Sequence, residues 1–257
     1  MNSEHEELHD HDMGLSHDIP LMHRRRLLGV AAGTTVAALA VGALASPADA
    51  ALKTIPEETA GPYPGDGSNG PNVLTKSGIV RSNIRKSFGT ATGVAKGIPV
   101  AIKLKLLTAS TSKPAAGLAV YLWHCNRDGL YSLYGKGVTA ENYLRGIQAT
   151  NSNGWVTFLS VFPACYSGRW PHIHFEVYPS LAKASSVKNK LHTSQVALPA
   201  DVCSKVYATT GYSASKKNLA QVSLKTDNVF SDGYTQEMAS VTGSVTKGFS
   251  IALTVGV

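Results

Sequence analysis

The sequence is short of cysteine, of long apolar runs and of internal repetition. Its 257 residues hold three cysteines, Cys125, Cys165 and Cys203, which excludes a fold held by several disulfides and allows one at most. No apolar stretch long enough to span a membrane follows residue 45. No internal repeat is evident, which excludes a repeat array. The 43% hydrophobic content is enough for one globular domain of a little over 200 residues.

Acidic residues are also scarce once the first 50 residues are set aside. The whole chain has 24 basic and 17 acidic residues, and residues 1–50 hold 3 and 7 of them, so the remainder has 21 and 10, a formal charge of +11. The lysines are scattered and no nucleic-acid-binding module is visible, so we predict no nucleic-acid partner. The charge favours surface attraction for acidic or phenolic matter, including lignin-derived material.

Residues 1–50 have the pattern of a secretory signal. Residues 23–28 read HRRRLL, an uncharged run follows over residues 27–45, and Ala48-Asp49-Ala50 is a small-x-small cleavage site. The paired arginines and the mildly apolar run resemble a twin-arginine signal. We predict cleavage after Ala50, secretion of the folded protein and no membrane span afterwards. A retained transmembrane helix is the alternative, because the run is nearly long enough to span.

Strand patterns dominate the rest of the chain. Residues 51–76 are rich in Pro, Gly, Asn and Asp, which predicts an irregular but ordered arm. Apolar alternation or β-prone apolar runs predict strands, and one short helix begins with a proline at residues 199–207. The fold class is therefore all-β, and residues 77–257 are predicted to form a catalytic β-sandwich of short, mostly antiparallel strands with little helix. The strands are expected at residues 100–106, 118–125, 155–161, 172–178 and 250–257.

Residues 165–178, CYSGRWPHIHFEVY, are the most informative stretch for chemistry. On an extended chain, successive side chains point to opposite faces. His172 and His174 then share one face, where two imidazoles can bind one metal ion, and the intervening apolar residues pack on the other. Tyr166 and Arg169 come just before them. Further upstream, residues 123–135 end an apolar strand in an Asn/Asp/Gly turn that is followed by Tyr131, and such turns often display site residues.

These motifs resemble those of the intradiol ring-cleavage dioxygenases, the non-haem ferric enzymes that split catechols between their hydroxylated carbons. The chain is similar in W-H-x-N-x-x-G-x-Y ending at Tyr131, in P-x-x-Y ending at Tyr166, and in R-x-P-H-I-H-F at residues 169–175. T-x-G-P-Y at residues 59–63 and T-S-Q at residues 193–195 also match. The resemblance is to the exported branch, without the helical dimerisation domain of the cytoplasmic members.

The resemblance implies one Fe(III) per chain, bound by Tyr131, Tyr166, His172 and His174. Two phenolates and one hydroxide balance the charge of a trivalent ion, and a bound cation deprotonates a phenol readily. A catechol-type diol and dioxygen would be the substrates, and a muconate-type diacid the product. Arg169 would stabilise the anionic ring that develops.

Four further residues complete the predicted site and its surroundings. Gln195 is predicted to contact residues of the site without binding the metal, with an ordinary surface position as the alternative. Tyr63 and Trp170 are predicted to line the substrate pocket, and Tyr134 competes with Tyr131 as a ligand. We also predict a disulfide between Cys165 and Cys203, beside Tyr166, with three reduced thiols as the alternative.

Two other functions compete with the dioxygenase interpretation. In a cupin-like ferrous protein, His172, His174 and Glu176 would form a two-histidine, one-carboxylate site, because Glu176 lies on the same face of the strand. A metal-free β-sandwich would instead bind aromatic polymer through exposed Tyr and Trp side chains. Iron content and colour separate the three interpretations, because tyrosinate bound to Fe(III) is intensely red-brown.

Overall fold

The computed structural model describes residues 52–257, so the predicted signal of residues 1–50 lies outside the described residues. Residues 52–257 form two four-stranded sheets, which confirms the predicted all-β sandwich. The strands are β1 (Pro99–Leu107), β2 (Ala119–Trp123), β3 (Arg145–Ala149), β4 (Trp155–Val161), β5 (His172–Tyr178), β6 (His192–Ala197), β7 (Ser240–Ser244) and β8 (Gly248–Gly256).

Helix is scarce in the described part of the chain. Two α-helices follow β6, α1 (Ala200–Tyr207) and α2 (Ser213–Leu219), and neither they nor any other helix of residues 52–257 is long and apolar enough to cross a bilayer. Short 3-10 turns occur at Val73–Thr75, Leu181–Lys183, Val187–Asn189 and Phe230–Asp232.

The strand order is β4-β1-β8-β7 in one sheet and β3-β2-β5-β6 in the other. All neighbours are antiparallel except β1 and β8, which run parallel with Val100 opposite Phe249. The inner faces of the two sheets form the main core, in which the alternating apolar residues of β1 pack against those of β5. Each such aliphatic or aromatic side chain contributes about 1.5–3 kcal/mol when fully buried.

Every residue of β5 is buried, because both faces of this strand are covered. Ile173, Phe175 and Val177 face the sandwich core. His172 and His174 are buried on the opposite face, where Gly61 of the N-terminal arm lies close to the His174 ring. The site is therefore built on the outer face of a central strand and beneath an irregular segment.

The arm of residues 52–76 is held to the sheets by hydrogen bonds to its backbone. Ile55 N donates to Gly256 O at 3.0 Å. The buried guanidinium of Arg145 donates to the carbonyls of Pro64 at 2.7 Å and Tyr63 at 2.9 Å. These bonds fix the backbone of Tyr63 above β2 and β3.

The turn between β3 and β4 requires a glycine at position 154. Gly154 has φ +77°, and a Cβ there would lie 2.3 Å from the carbonyl oxygen of Leu106. We therefore expect Gly154→Ala to lower the free energy of unfolding by about 1–3 kcal/mol, measured by urea denaturation. Gly117→Ala is the matched control, because Gly117 has φ +81° but no atom within 4 Å of the added Cβ. Equal losses of unfolding free energy in the two variants would contradict a clash between the added Cβ and the carbonyl oxygen of Leu106.

The predicted disulfide is wrong. Cys165 and Cys203 are free thiols in the structure, as is Cys125. Cys165 and Cys203 both lie in the main hydrophobic cluster, where a thiol packs as a small apolar group, and Cys165 Sγ lies 3.5 Å from the carbonyl of Arg169. Burial raises the pKa of Cys125 and of Cys165 to about 12, so these two thiols stay protonated.

Candidate active site

The two histidines lie on β5, a central strand of the β3-β2-β5-β6 sheet. His174 lies on β5 between Trp123 of β2 and Gln195 of β6 in the strand register. The indole of Trp123 stacks on the His174 ring with centroids 4.8 Å apart and an interplanar angle of 5°. His174 Nδ1 has no hydrogen-bond partner within residues 52–257, so the stacking on Trp123 and the contact of Nε2 with His172 orient the ring.

Two tyrosines from separate loops bring their hydroxyls to the histidines. Tyr131 follows the loop after β2, and Tyr166 lies in the loop between β4 and β5. Each hydroxyl oxygen is 3.3 Å from His172 Nε2, and His174 Nε2 is 3.1 Å from the same atom. The structure thus brings together all four predicted metal ligands.

The protonation state of the histidines suits ligation. His172 Nδ1 lies 2.5 Å from the carbonyl of Trp170, which can only accept, so Nδ1 carries the proton and Nε2 presents its lone pair to the cluster. Burial, and then the charge of Arg169, hold the pKa of His172 well below its usual value. Burial likewise lowers the pKa of His174, so both imidazoles are neutral at pH 7.

The donor set fits a metal ion. Two ligands bound at about 2.0–2.1 Å and separated by about 90–120° at the ion lie about 2.8–3.6 Å from each other. The three separations from His172 Nε2 fall within this range. Burial raises the pKa of Tyr131 well above that of a free phenol, so its ionisation needs a nearby cation. Imidazole nitrogens and phenolate oxygens together suit an oxidised transition metal.

Arg169 points into this cluster from a fixed position. Its guanidinium is buried, with Nε 2.9 Å from Asp227 Oδ2 and Nη1 3.5 Å from His172 Nε2. Burial alone would lower the pKa of Arg169, but the carboxylate of Asp227 raises it, so the side chain stays charged.

Gln195 is buried and lies behind the arginine. Arg169 Nη2 donates to Gln195 Oε1 at 2.7 Å, and Gln195 Nε2 donates to the carbonyl of Thr59 at 3.0 Å. The surface alternative for Gln195 is thus wrong, since the side chain is fully buried and joins Arg169 to the N-terminal arm.

The two predicted pocket residues occupy different places. The Tyr63 ring lies 5.0 Å from that of Tyr131, so it borders the candidate site. The indole of Trp170 instead packs with Ala197, Val229 and Phe230, and its Nε1 donates to the carbonyl of Leu198 at 2.9 Å. The indole of Trp170 thus belongs to a separate hydrophobic cluster, and its place in a substrate pocket stays a prediction.

The two alternative metal ligands, Tyr134 and Glu176, form hydrogen bonds with groups outside the cluster. The hydroxyl of Tyr134 accepts from Gly65 N at 2.9 Å and donates to Asn69 Oδ1 at 2.8 Å, so it anchors the arm. Glu176 accepts from Tyr178 OH at 2.7 Å and from Lys190 Nζ at 3.1 Å.

The cupin-like interpretation requires a carboxylate beside the two imidazoles. Within residues 52–257, no group of three His, Cys, Asp or Glu side chains is placed to hold a metal. The two-histidine, one-carboxylate site with Glu176 is therefore wrong, because Glu176 is paired with Lys190 instead.

Sequence reasoning missed two residues that organise the site. Asp227 pairs with Arg169, and Arg145 holds the arm over the sheet. The only local signal of Asp227 is that of a turn-forming residue in a Ser/Thr-containing loop. Arg145 lies on a short strand without apolar alternation, where nothing in the sequence indicates a buried charge.

Comparison with known proteins supports the motif resemblance. No family model matches the chain, and no curated protein matches it in sequence. Among solved structures, an intradiol ring-cleavage dioxygenase from Tetranychus urticae is 25% identical, with a TM-score of 0.57, over 70% of this chain and 87% of that one. A second dioxygenase structure, 24% identical, has a TM-score of 0.63 over 80% and 94% of the two chains.

A bacterial domain has the same fold at lower identity. The dioxygenase domain of a carbohydrate-binding fusion protein from Streptomyces sp. SirexAA-E is 17% identical, with a TM-score of 0.51, over 80% of this chain and 98% of that one. The chain therefore shares the β-sandwich fold of these three dioxygenase structures. The similarity to the Tetranychus urticae protein confirms the resemblance to the intradiol ring-cleavage dioxygenases.

Proposed function

We propose that the chain is a ferric intradiol dioxygenase that cleaves catechol-type diols with dioxygen to muconate-type diacids. The observation that carries this proposal is the convergence of two phenol oxygens and the His174 Nε2 atom on His172 Nε2, at 3.1–3.3 Å. The solved structure that is 25% identical is named an intradiol ring-cleavage dioxygenase, which supports the same reaction here.

Tyr131, Tyr166, His172 and His174 would hold one Fe(III). Two anionic phenolate oxygens offset most of the charge of a trivalent ion and favour the ferric over the ferrous state. When bound, the iron would supply chelation of both diol oxygens and would make the ring reactive toward dioxygen.

The two tyrosines differ in burial, and this difference supports different roles for them. Tyr131 is 2% exposed and packs against Tyr63, whereas Tyr166 is partly exposed in its loop. A catechol loses two protons when it binds as a dianion, so two bases must accept them. The Tyr166 phenolate, which would form only with the ion bound, would take one, and the hydroxide that balances the charge of the site would take the other. The oxygen of Tyr166 is the acceptor that can turn toward solvent after it takes the proton, while Tyr131 stays in place.

Arg169 supplies a fixed positive charge on the diol side of the cluster. Its guanidinium is buried and already hydrogen-bonded before any substrate binds. Preorganised charge of this kind lowers a barrier by about 3 kcal/mol when anionic character develops in a site that excludes water. Tyr63 and the arm above it contribute to that exclusion.

Oxygen uptake tests the proposal. The purified protein should contain one iron per chain, absorb broadly in the visible region, and consume oxygen with at least one of catechol, protocatechuate and hydroxyquinol. Removal of iron by a chelator should abolish both colour and uptake, and Fe(III) should restore them. An iron-loaded, coloured protein that consumes no oxygen with any diol would reject the reaction, and a colourless protein without iron would reject the metal site.

We also propose that the protein is exported in the folded state by the twin-arginine route and acts on lignin-derived or other aromatic diols. The support is the HRRRLL segment, the Ala48-Asp49-Ala50 site and the charge of +11 on the remaining residues. Replacement of Arg24, Arg25 and Arg26 by lysine should retain the protein inside the cell, as fractionation would show.

A further inference from the structure

Asp227 pairs with the site arginine, and the reaction proposed above gives its carboxylate no step of its own. Its side chain is fully buried, and its carboxylate accepts four hydrogen bonds. Oδ2 accepts from Arg169 Nε at 2.9 Å and from Trp170 N at 2.6 Å. Oδ1 accepts from Val229 N at 2.8 Å and from Phe230 N at 3.1 Å. Three backbone donors therefore hold the carboxylate in place independently of the arginine.

Each nitrogen of the Arg169 guanidinium has a different neighbour. Nε meets Asp227, Nη2 meets Gln195 Oε1 at 2.7 Å, and Nη1 lies 3.5 Å from His172 Nε2. The guanidinium is planar and its N–H groups have a fixed geometry, so holding two nitrogens sets the direction of the third. Without Asp227, the guanidinium would be held by the neutral Gln195 amide and could rotate away from the ligand cluster.

We propose that Asp227 is a positioning residue that directs Nη1 of Arg169 toward the diol-binding side of the ligand cluster. Its role in ring cleavage rests on the proposed function, whereas its hold on the guanidinium does not. Asp227 touches neither the ligand oxygens nor the ligand nitrogens, so its effect on turnover passes through Arg169.

Asp227→Asn tests the proposal with little change of volume. The amide can still accept from Val229 N and Phe230 N, but its NH2 group then faces the N–H groups of Arg169 and Trp170. We expect kcat to fall by about 10–100-fold, with KM changed by less than about threefold and iron retained. Asp201→Asn is the matched control, because Asp201 is exposed and pairs only with the exposed Lys205. A wild-type kcat in Asp227→Asn would overturn the proposal.

A double-mutant cycle separates positioning from general support of the fold. In an Arg169→Leu background, Asp227→Asn should lower kcat by less than about threefold, because its target is already absent. An equal loss in both backgrounds would overturn the proposal. If Asp227→Asn does not fold, Asp227→Glu takes its place. This variant keeps the charge but moves it by one methylene, and wild-type turnover would again overturn the role.

Nuclear magnetic resonance of the Arg169 Nε–H group gives a readout that does not depend on turnover. In protein loaded with diamagnetic Ga(III), this buried, carboxylate-bound proton should exchange slowly with solvent, and Asp227→Asn should shift its signal and accelerate exchange. Asp201→Asn should leave it unchanged. A response as expected in a protein that cleaves no diol would reject the proposed function while supporting the positioning role. An unchanged signal in Asp227→Asn would overturn that role.

Discussion

Replacement of Tyr166 by phenylalanine is expected to remove most of the visible colour and to lower kcat by about 10²–10³-fold while the protein still folds. The substitution deletes one oxygen of the proposed ligand set, which is also the proposed proton acceptor. The ring remains and can keep its edge contacts with Tyr131, at 6.0 Å between centroids, and with His172, at 5.6 Å. Oxygen uptake and visible absorption of the two proteins at equal concentration provide the measurement.

Tyr134→Phe is the matched control for this variant. It also deletes one phenol oxygen three residues from a ligand, but that oxygen bonds to Gly65 and Asn69 of the arm and not to the cluster. Colour and kcat should stay within about twofold of wild type, and the free energy of unfolding should fall by about 1 kcal/mol. Unchanged kinetics in Tyr166→Phe would remove Tyr166 from the ligand set.

Arg169→Leu should keep the iron and lower kcat by about 10²–10³-fold, because the charge that stabilises the anionic ring is lost while the four ligands remain. It should also lower the free energy of unfolding by about 3–5 kcal/mol, since it leaves Asp227 buried without its partner. Metal analysis, oxygen uptake and denaturation measure the three effects. Wild-type turnover in a folded Arg169→Leu protein would reject the catalytic role of the arginine.

The parts of the fold that the sequence predicted are those with strong local patterns. The predicted strands at residues 155–161 and 172–178 match β4 and β5, because apolar and β-branched residues alternate or run continuously there. Strand β6 was missed because its sequence, HTSQVA, is largely polar. Thr193, Ser194 and Gln195 are nevertheless buried. The N-terminal arm bonds to Thr193 and Gln195, and Ser194 Oγ donates to Glu237 Oε1. Tertiary contacts, which single-sequence patterns do not show, decide such a strand.

The residues of the candidate site also divide into those that the sequence predicts and those that it does not. His172 and His174 are adjacent on one strand face, and Tyr131 and Tyr166 were found through motif spacing. Asp227 lies 58 positions after Arg169, and no periodicity links the two. The disulfide prediction failed for a related reason, because the suitability of two cysteines for bonding depends on three-dimensional geometry that their sequence positions do not give.

The parallel pairing of β1 with β8 has a consequence for the order of folding. Val100 lies opposite Phe249, which is 149 positions further along the chain, and β8 separates β1 from β7 in the sheet. During synthesis, β1 therefore leaves the ribosome long before its parallel neighbour exists. Such distant pairing implies a high contact order and slow folding. Until residues 248–256 have been synthesised, the edge of β1 that pairs with β8 is unpaired and open to chaperone binding or aggregation.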